Sequence, residues 1–358
     1  MASISEQTTD PTRARFKVRW READGSARSE SFTTKSAARA KLREVETTVA
    51  DGTYVDDREG RTTVEAWSAI AAEGWVDLAP STRDRYAVIL ESQILPNLGG
   101  RALRDVTAGE IQKLVTKLSR TLSASTVRKV VYVLRRLFDD AIVARKLAVS
   151  PCVGIRLPKL APKVPETLTR KELDKLADAL PDEYRAFAYV TGRLGLRIGE
   201  ALALRWRDVD LDAVRPTVTV RGSIVESGGI LRESTPKTRA GIRSVPISAD
   251  VVEELRDLRD WTAPDARSLV FPAAEGGYYR PGNFRNRVFA PAVERVGLSI
   301  TPHALRHAAL TAWLENGATP MLAAAWAGHA DGGALIVRTY GHVLTAHADQ
   351  VLDAMNGA

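Results

Sequence analysis

Residues 303–310 read His-Ala-Leu-Arg-His-Ala-Ala-Leu, and this stretch carries the most specific pattern in the 358-residue chain. His303 and Arg306 are three positions apart, so on a helix both side chains project to the same face. His307 follows one position further round. An imidazole can transfer protons, and a guanidinium can hold two phosphate oxygens in a fork. The stretch therefore predicts a helix that builds part of an active site.

Arg197 is a second candidate for binding phosphate. It lies in the segment GLRIGE at 195–200, which predicts the start of a helix that continues through Leu204. A guanidinium there can bind two nonbridging phosphate oxygens, reinforced by the amides at the helix start. A single arginine in such a stretch is usually structural, so this prediction depends on its partners.

Three further candidates lie downstream. Lys237 is in PKT after strand-like residues, His329 is in AGH, and Tyr340 follows eleven residues later in TYGH. A phenol with its normal pKa of about 10 is a poor nucleophile and needs a base or a strong positive field. Two arginines, a lysine, two histidines and a late tyrosine together indicate cleavage of a phosphodiester by a tyrosine.

These segments resemble the tyrosine recombinases, and specifically the phage integrases, over about residues 15–340. The resemblance implies six catalytic residues, which are Arg197, Lys237, His303, Arg306, His329 and Tyr340. Tyr340 would be the nucleophile, and the arginines and His329 would stabilise the pentacoordinate transition state. His303 would assist proton transfer. Lys237 would lie on a β-hairpin and protonate the departing 5′ oxygen.

The chain departs from the family pattern at two places. Ala304 stands where many members have Asp, and Ala327 stands where Leu is usual. The residue at the position of Ala304 is not a catalytic group in the family, and Ala327 departs from the pattern by size only. We therefore expect altered local hydrogen bonding and a smaller side chain, without loss of activity.

The composition limits the class of protein. Hydrophobic content is 44% and the formal net charge is +7, which allows a folded protein that binds nucleic acid. Cys152 is the sole cysteine, which excludes an internal disulfide and a cysteine-rich zinc site and fits a reducing compartment. No long apolar run is present, so we expect no membrane partner. The resemblance implies the cytoplasm of a bacterial host, in association with the nucleoid.

Composition and periodicity predict a multidomain, mainly α-helical chain. The predicted parts are a small β-sheet-plus-helix module at 1–57, a helical bundle at 62–155, a proline-rich linker at 156–166, an α+β domain at 167–346 and a tail at 347–358. By resemblance the first two are the arm-type and core-binding DNA-binding domains. The α+β domain would be the catalytic domain of the tyrosine recombinase type, and the tail would contact another protomer.

The N-terminal module is predicted from alternating residues. Residues 1–10 are small and polar and predict a disordered lead-in, and a strand with a basic face follows at 15–20. A turn at Asp24-Gly25, a second strand through Phe32 and a helix ending near Gly52 complete the module. The candidates for DNA binding on the basic face are Arg15, Lys17 and Arg19. The alternative is a solvated strand face without a ligand.

The second part predicts helices at 63–74, 81–95, 107–118 and 123–145. Residues 101–146 hold eleven basic and four acidic residues, a net charge of +7 that equals the excess of the whole chain. This concentration favours a surface that faces phosphates, with a solvated basic face as the alternative. The candidates outside the buried stripe are Arg128, Lys129, Arg135 and Arg136.

The third part predicts strands at 217–225, 231–235 and 243–247, with a turn at Gly228-Gly229, and a short helix at 346–355. Three aspartates, Asp208, Asp210 and Asp212, alternate like the start of a calcium loop. That loop needs Gly at its sixth position and Glu at its twelfth, where this chain has Ala and Thr. We therefore predict no metal site. We also predict no cofactor, because arginines can neutralise phosphate charge.

The sequence thus predicts a site-specific DNA recombinase of the phage integrase type. Its partners would be duplex DNA at core and arm attachment sites and further copies of itself as a tetramer on DNA. By resemblance a host DNA-bending protein and an excision factor would also take part. A type IB topoisomerase, which reseals the same strand, and a DNA-binding regulator with weak catalysis are the alternatives.

Overall fold

A computed structural model describes residues 2–7, 15–21, 27–50, 59–161, 166–235, 241–345 and 355. The chain forms two compact units, residues 1–161 and 162–358, which we call the first and the second unit. Helices dominate both units, and the predicted multidomain, mainly α-helical fold is confirmed. The boundary between the units falls inside the segment predicted to be a linker.

The first unit begins with a small antiparallel sheet and a helix. Its elements are β1 (Ser3–Gln7), β2 (Arg15–Arg21), β3 (Ala27–Phe32) and α1 (Lys35–Ala50). The strands pair in the order β1-β2-β3. Val18 and Trp20 of β2 pack with Ala38 and Val45 of α1 into a small core. The predicted alternation of β2 is confirmed, because Arg15 and Arg19 lie on the exposed face.

The prediction that residues 1–10 form a disordered lead-in was wrong, because β1 pairs with β2 from Ser3 opposite Arg19 to Gln7 opposite Arg15. The strand has one large apolar side chain, Ile4, which packs against the small core. A single, partly buried side chain leaves no periodic signal, so the backbone pairing was not visible in the sequence. The predicted turn at Asp24-Gly25 and the helix end near Gly52 lie outside the described residues.

The rest of the first unit is a helical bundle. Its helices are α2 (Val64–Glu73), α3 (Pro80–Ile89), α4 (Leu95–Leu98), α5 (Ala108–Leu118) and α6 (Ala124–Val143). A π-helical turn at Leu90–Ile94 joins α3 to α4. Thr107 starts α5 in a capping box with Glu110, and the hydroxyl of Ser123 caps α6. These caps occupy the positions at which the sequence predicted helix starts.

The core of this bundle is apolar, and a tryptophan in it is hydrogen-bonded to the backbone of another helix. The predicted stripe of α6 is buried, with the side chains of Val127, Leu134 and Phe138 at 0% exposure. The indole of Trp67 donates to the Leu137 carbonyl at 2.9 Å. Cys152 also lies in this core, where burial raises the pKa of its thiol to about 11.

The second unit combines helices with two small β structures. Its helices are α7 (Arg170–Ala179), α8 (Asp182–Leu194), α9 (Ile198–Ala201), α10 (Ala249–Thr262), α11 (Pro281–Phe284), α12 (Ala290–Arg295), α13 (Pro302–Glu315), α14 (Pro320–Ala327) and α15 (Ala334–Thr345). Its strands are β4 (Val209–Asp210), β5 (Thr217–Val220), β6 (Ser223–Ser227), β7 (Ile230–Ser234) and β8 (Arg243–Pro246). Within the described residues, β4, β5 and β8 form one antiparallel sheet, and β6 and β7 form a separate hairpin.

Two local predictions in the second unit were wrong. The predicted strand at 217–225 is two strands in different sheets, because the chain leaves β5 at Arg221-Gly222 to enter the hairpin. The helix predicted to run through Leu204 ends at Ala201. Beyond it the chain pairs in extended form, and the Leu204 carbonyl accepts a hydrogen bond from the Val270 amide at 2.8 Å. Tertiary pairing therefore overrides local helical propensity there.

The predicted turn between β6 and β7 is confirmed, since Gly228 and Gly229 both adopt positive φ. Of the short helix predicted at 346–355, residues 346–354 lie outside the described part of the chain. Among the residues that the structure describes, no helix has both the length and the apolar character that crossing a membrane would need.

Candidate active site

Helix α13 forms the centre of the site and carries three of its polar side chains. Arg306 is 3% exposed, and its guanidinium donates to two backbone carbonyls, Gly195 and Ala327, each at 2.6 Å. The Nη2 atom that donates to the Ala327 carbonyl also lies 3.0 Å from Nε2 of His329. One arginine therefore joins the end of α8, the end of α14 and a candidate histidine. The predicted placement of His303 and Arg306 on one helix is confirmed.

Gly195 is required by the chain turn that brings Arg197 to the site. It ends α8 in the left-handed region, with φ of 63°. A Cβ atom at this position would lie 2.8 Å from the Trp313 ring. Only glycine fits both conditions. The turn directs the Gly195 carbonyl to Arg306 and places Arg197, two residues later, at the N-cap of α9.

Arg197 is the N-cap residue of α9, and its side chain is 42% exposed. Its backbone amide donates to Glu200 Oε2 at 2.9 Å, and its guanidinium donates to Glu200 Oε1 at 2.8 Å. The backbone and the side chain of Arg197 thus bind the same carboxylate, which fixes the orientation of the arginine. The rest of the guanidinium remains accessible to a ligand.

The Glu200 carboxylate is buried and shared. Arg243 of β8 donates to both of its oxygens, at 2.8 and 3.2 Å, and also to the Trp326 carbonyl at 2.5 Å. Burial acts to raise the pKa of Glu200, but the hydrogen bonds and charges of Arg243 and Arg197 outweigh it and lower the pKa. Glu200 is therefore a carboxylate at neutral pH.

Tyr340 lies at a break in α15, where its backbone is non-helical with φ of −118° and ψ of 16°. Its side chain is 2% exposed, and its hydroxyl is hydrogen-bonded to Nδ1 of His307. Burial raises the pKa of Tyr340 to about 12, although the charge of Arg306 acts to lower it. The phenol is therefore un-ionised at neutral pH in the protein without DNA.

The three histidines of the site are neutral at pH 7. Burial lowers the pKa of His303, His307 and His329, and the positive charge of Arg306 lowers each of them further. For His307 and His329 the pKa falls to about 4. Arg197 also lowers the pKa of His303 and His329, which shows that its charge acts on the same site. The pKa of Arg306 is lowered by burial and by Arg197. Such a concentration of positive charge favours an anionic ligand.

His329 is held beside Arg306 by one of its two ring nitrogens. It follows Gly328, which ends α14 in the left-handed region with φ of 69°. Since Arg306 donates to Nε2, the proton of the neutral ring lies on Nδ1. Nδ1 is buried and has no hydrogen-bond partner among the described residues.

Lys237 lies outside the described residues, so its catalytic role stays a prediction. The hairpin that precedes it is anchored at both ends. Arg280 donates to Glu226 at 2.5 Å near the turn. At the other end, Glu233 accepts from Tyr278 at 2.5 Å and from Arg205 at 3.2 Å.

The candidate DNA-binding residues of α6 divide into two groups. Arg128 donates to the Pro158 carbonyl at 2.9 Å, and Arg136 pairs with Asp77 at 2.7 Å, so both have contacts within the first unit. Lys129 and Arg135 are exposed. Lys17 of β2 is half-buried, between the exposed Arg15 and Arg19. The role of these residues in DNA binding therefore stays a prediction.

The aspartates of the calcium-like pattern have other partners. Asp208 accepts from Arg221 at 2.7 Å, and Asp212 lies 3.4 Å from Arg259. Asp210 accepts from the backbone amide of Ala213 in a turn. These contacts give each carboxylate a structural role.

The sequence interpretation missed three residues of the site: His307, Glu200 and Arg243. His307 was noted on α13 but given no role. Arg243 did leave a signal, because it shares the buried face of β8 with Val245, and an arginine on such a face needs a buried partner. The partner, Glu200, could not be identified from spacing alone.

Two family patterns match the chain. The phage integrase family matches residues 166–347, and the phage integrase central domain matches residues 61–156. The first match covers more than half of the chain and every residue of the candidate active site, from Gly195 to Tyr340. The chain belongs to the phage integrase family.

Similar proteins are integrases and recombinases. The prophage phiRv2 integrase of Mycobacterium tuberculosis is 28% identical over 278 residues, covering 74% of this chain and 72% of that protein. The tyrosine recombinase XerC of Xanthomonas axonopodis pv. citri is 28% identical over 242 residues, covering 66% and 73%.

Solved structures show the same fold. The Tn1549 transposon integrase in complex with transposon right end DNA has a TM-score of 0.68 at 19% identity, covering 81% of this chain and 100% of that chain. A lambda integrase dimer bound to a COC′ core site has a TM-score of 0.62 at 16% identity, covering 94% and 93%.

Proposed function

We propose that this member of the phage integrase family is a site-specific DNA recombinase that cuts and rejoins duplex DNA through a covalent tyrosine intermediate. The observation that carries the proposal is the arrangement around α13. Arg306 binds His329 on one side, while His307, the next residue, binds the hydroxyl of Tyr340. A nucleophile and a phosphate clamp are thereby held in one site.

In the proposed reaction the Tyr340 oxygen attacks the scissile phosphorus. The bond from tyrosine oxygen to phosphorus forms, and the bond from phosphorus to the 5′ oxygen breaks. The products are a 3′-phosphotyrosyl link and a strand whose 5′ oxygen takes up a proton, which we assign to Lys237. A 5′ hydroxyl from the partner strand then reverses these steps and releases Tyr340.

In this reaction the arginines and histidines of the site would stabilise the transition state. The accessible guanidinium of Arg197 and the buried guanidinium of Arg306 face the negative charge that develops on the phosphoryl oxygens. His329 would add to this stabilisation beside Arg306, whose guanidinium lies 3.0 Å from its Nε2 atom. His303, whose pKa is lowered by burial and by the arginines, is neutral and can take part in proton transfer. The positive charge in this scheme comes from side chains.

The proposed partners are DNA, further copies of the chain and accessory proteins. One similar structure is a lambda integrase tetramer bound to a Holliday junction, with a TM-score of 0.57. We propose that this chain also acts as a tetramer on duplex DNA, with residues 1–57 on arm sites and the later domains on core sites. We further propose a host DNA-bending protein and an excision factor as partners.

The experiment that tests the function uses a nicked suicide substrate, on which cleavage is trapped as a covalent complex. Tyr340→Phe should bind core DNA but form no covalent band on a denaturing gel. Tyr189→Phe is a matched control, since Tyr189 is also buried in the second unit and binds Asp174 at 3.0 Å. A covalent band from Tyr340→Phe would refute the assignment. Relaxation of supercoiled DNA without strand exchange would favour a topoisomerase.

A further inference from the structure

His307 is the side chain that contacts the candidate nucleophile. Its Nδ1 atom is hydrogen-bonded to the hydroxyl of Tyr340, and the two rings lie 5.8 Å apart between centroids. His307 projects from α13, a 14-residue helix that also carries Arg306. The contact therefore connects the nucleophile with the helix that holds the phosphate clamp.

The other two histidines of the site are engaged elsewhere. Nε2 of His329 lies against Arg306. The ring of His303 packs edge-on against the ring of His307, with centroids 4.5 Å apart. Among the described histidines of the site, His307 is thus the one placed to exchange a proton with the tyrosine hydroxyl.

The protonation states suit this exchange. The hydroxyl of Tyr340 carries its proton, because burial raises its pKa to about 12. His307 is uncharged, because burial, His303 and Arg306 lower its pKa to about 4. A neutral imidazole that accepts at Nδ1 carries its own hydrogen on Nε2. The hydroxyl donates, and Nδ1 accepts.

Burial disfavours a positive charge on His307, and the two charged or chargeable neighbours that face it, His303 and Arg306, disfavour it further. Binding of DNA changes this balance. The scissile phosphate brings one negative charge, and the transition state develops more on the same oxygens. That charge offsets part of the cost of a positive His307, so proton transfer is easier when the substrate is in place.

We propose that His307 is the general base of the reaction. As the tyrosine oxygen forms its bond to phosphorus, the O–H bond of Tyr340 breaks and the proton moves to Nδ1 of His307. In the rejoining step the proton returns to the tyrosine oxygen as that oxygen leaves phosphorus. This inference rests on the proposed function, in which Tyr340 is the nucleophile.

The test uses His307→Asn in the full-length protein, because the asparagine side chain can place a hydrogen-bonding group near the position of Nδ1 but is not basic. Single-turnover cleavage of the suicide substrate should fall by roughly 10²–10³-fold, within the usual range for a lost general base. Affinity for core DNA should stay within about twofold, since phosphate contacts elsewhere determine it. His307→Gln serves as a second variant if the asparagine protein does not fold.

A fluorinated tyrosine at position 340 distinguishes a chemical role of His307 from a structural one. Fluorine substituents make the phenol more acidic, so a nucleophile with a lowered pKa depends less on a base. With 3,5-difluorotyrosine in place of Tyr340, the His307→Asn protein should recover at least tenfold in cleavage rate. The same replacement in Arg197→Ala should recover much less, because that variant lacks phosphate stabilisation.

Each outcome decides the question. Recovery confined to the His307 variants supports the general base. The proposal would be overturned if His307→Asn cleaved DNA as fast as the wild-type protein or faster. It would also be overturned if fluorotyrosine did not restore cleavage in the variant. In either case Tyr340 would remain the nucleophile. If the wild-type protein forms no covalent complex and Tyr340→Phe behaves like it, the proposed function itself fails.

Discussion

Glu200 of α9 and Arg243 of β8 form a doubly hydrogen-bonded ion pair in the interior of the second unit, although 43 residues separate them in the chain. Both side chains are less than a tenth exposed. The same carboxylate also binds Arg197, the accessible arginine of the site. The pair therefore links the stability of the second unit to the position of a catalytic candidate.

Removing the charge of Glu200 should destabilise the protein. Glu200→Gln leaves Arg243 buried beside a neutral group, and breaking a buried pair costs about 3–5 kcal/mol. We expect a loss toward the lower end, since the amide oxygen still accepts one hydrogen bond. Urea denaturation measures the change. The control is Glu226→Gln, which breaks the exposed pair with Arg280 and should cost less than about 1 kcal/mol. If both variants lost the same free energy of unfolding, burial of the Glu200–Arg243 pair would not be the cause of its larger effect.

The two arginines of the clamp should differ in their effect on stability. Arg197→Ala should lower cleavage about 10²–10³-fold, the scale for losing one transition-state donor, with little change in the melting temperature. Arg306→Ala should lower cleavage at least as much and also the melting temperature, because two buried carbonyls lose their donor. Suicide-substrate kinetics and thermal melts measure both. A parallel loss of DNA affinity would make either arginine a docking residue.

Stability should fall at mildly acidic pH because of the histidines. The pKa of His307 and of His329 is about 4 in the folded protein, below the unfolded value of 6.5. Between these values the unfolded chain binds more protons, so stability decreases as the pH falls from about 6.5 toward 4. In His307→Asn the dependence should be weaker. Melting temperatures measured from pH 7.5 to 4.5 test this, and identical slopes for both proteins would contradict it.

The N-terminal module should be dispensable for the chemistry. Its small core, formed by β2 and α1, is separate from the bundle core. A fragment starting at Arg61 should therefore keep core-site binding and covalent cleavage. It should fail in intermolecular integration, because one protomer can no longer bridge arm and core sites. The two assays are compared for the full chain and the fragment. A fragment that recombines as well as the full chain would remove the proposed arm-binding role of residues 1–57.

Much of the site was predictable because its signals are local. The spacing of His303 and Arg306 implied one helix face, and both residues lie on α13. The contacts that complete the site are not local. The pairing of Glu200 with Arg243 and of His307 with Tyr340 depends on how strands and helices pack, and no spacing rule predicts it.

The fold predictions failed where tertiary pairing decides the outcome. β1 is ordered by its partner strand, and its own composition gave no sign of it. The break at Arg221-Gly222 lies in a run rich in strand-forming residues, and the single glycine in it did not reveal that the chain passes from one sheet to another. Propensity is weak evidence wherever the partner of a segment is distant in sequence.

The buried position of Cys152 makes the protein convenient for fluorescence experiments. It is the sole cysteine of the chain and is 3% exposed, and with a thiol pKa of about 11 it stays protonated and unreactive at neutral pH. Maleimide dyes would therefore spare it. Cysteines introduced at two exposed valines, Val143 in the first unit and Val214 in the second, would give a donor and acceptor pair. Energy transfer between them would report the distance between the units as DNA is added, without any change to the native cysteine.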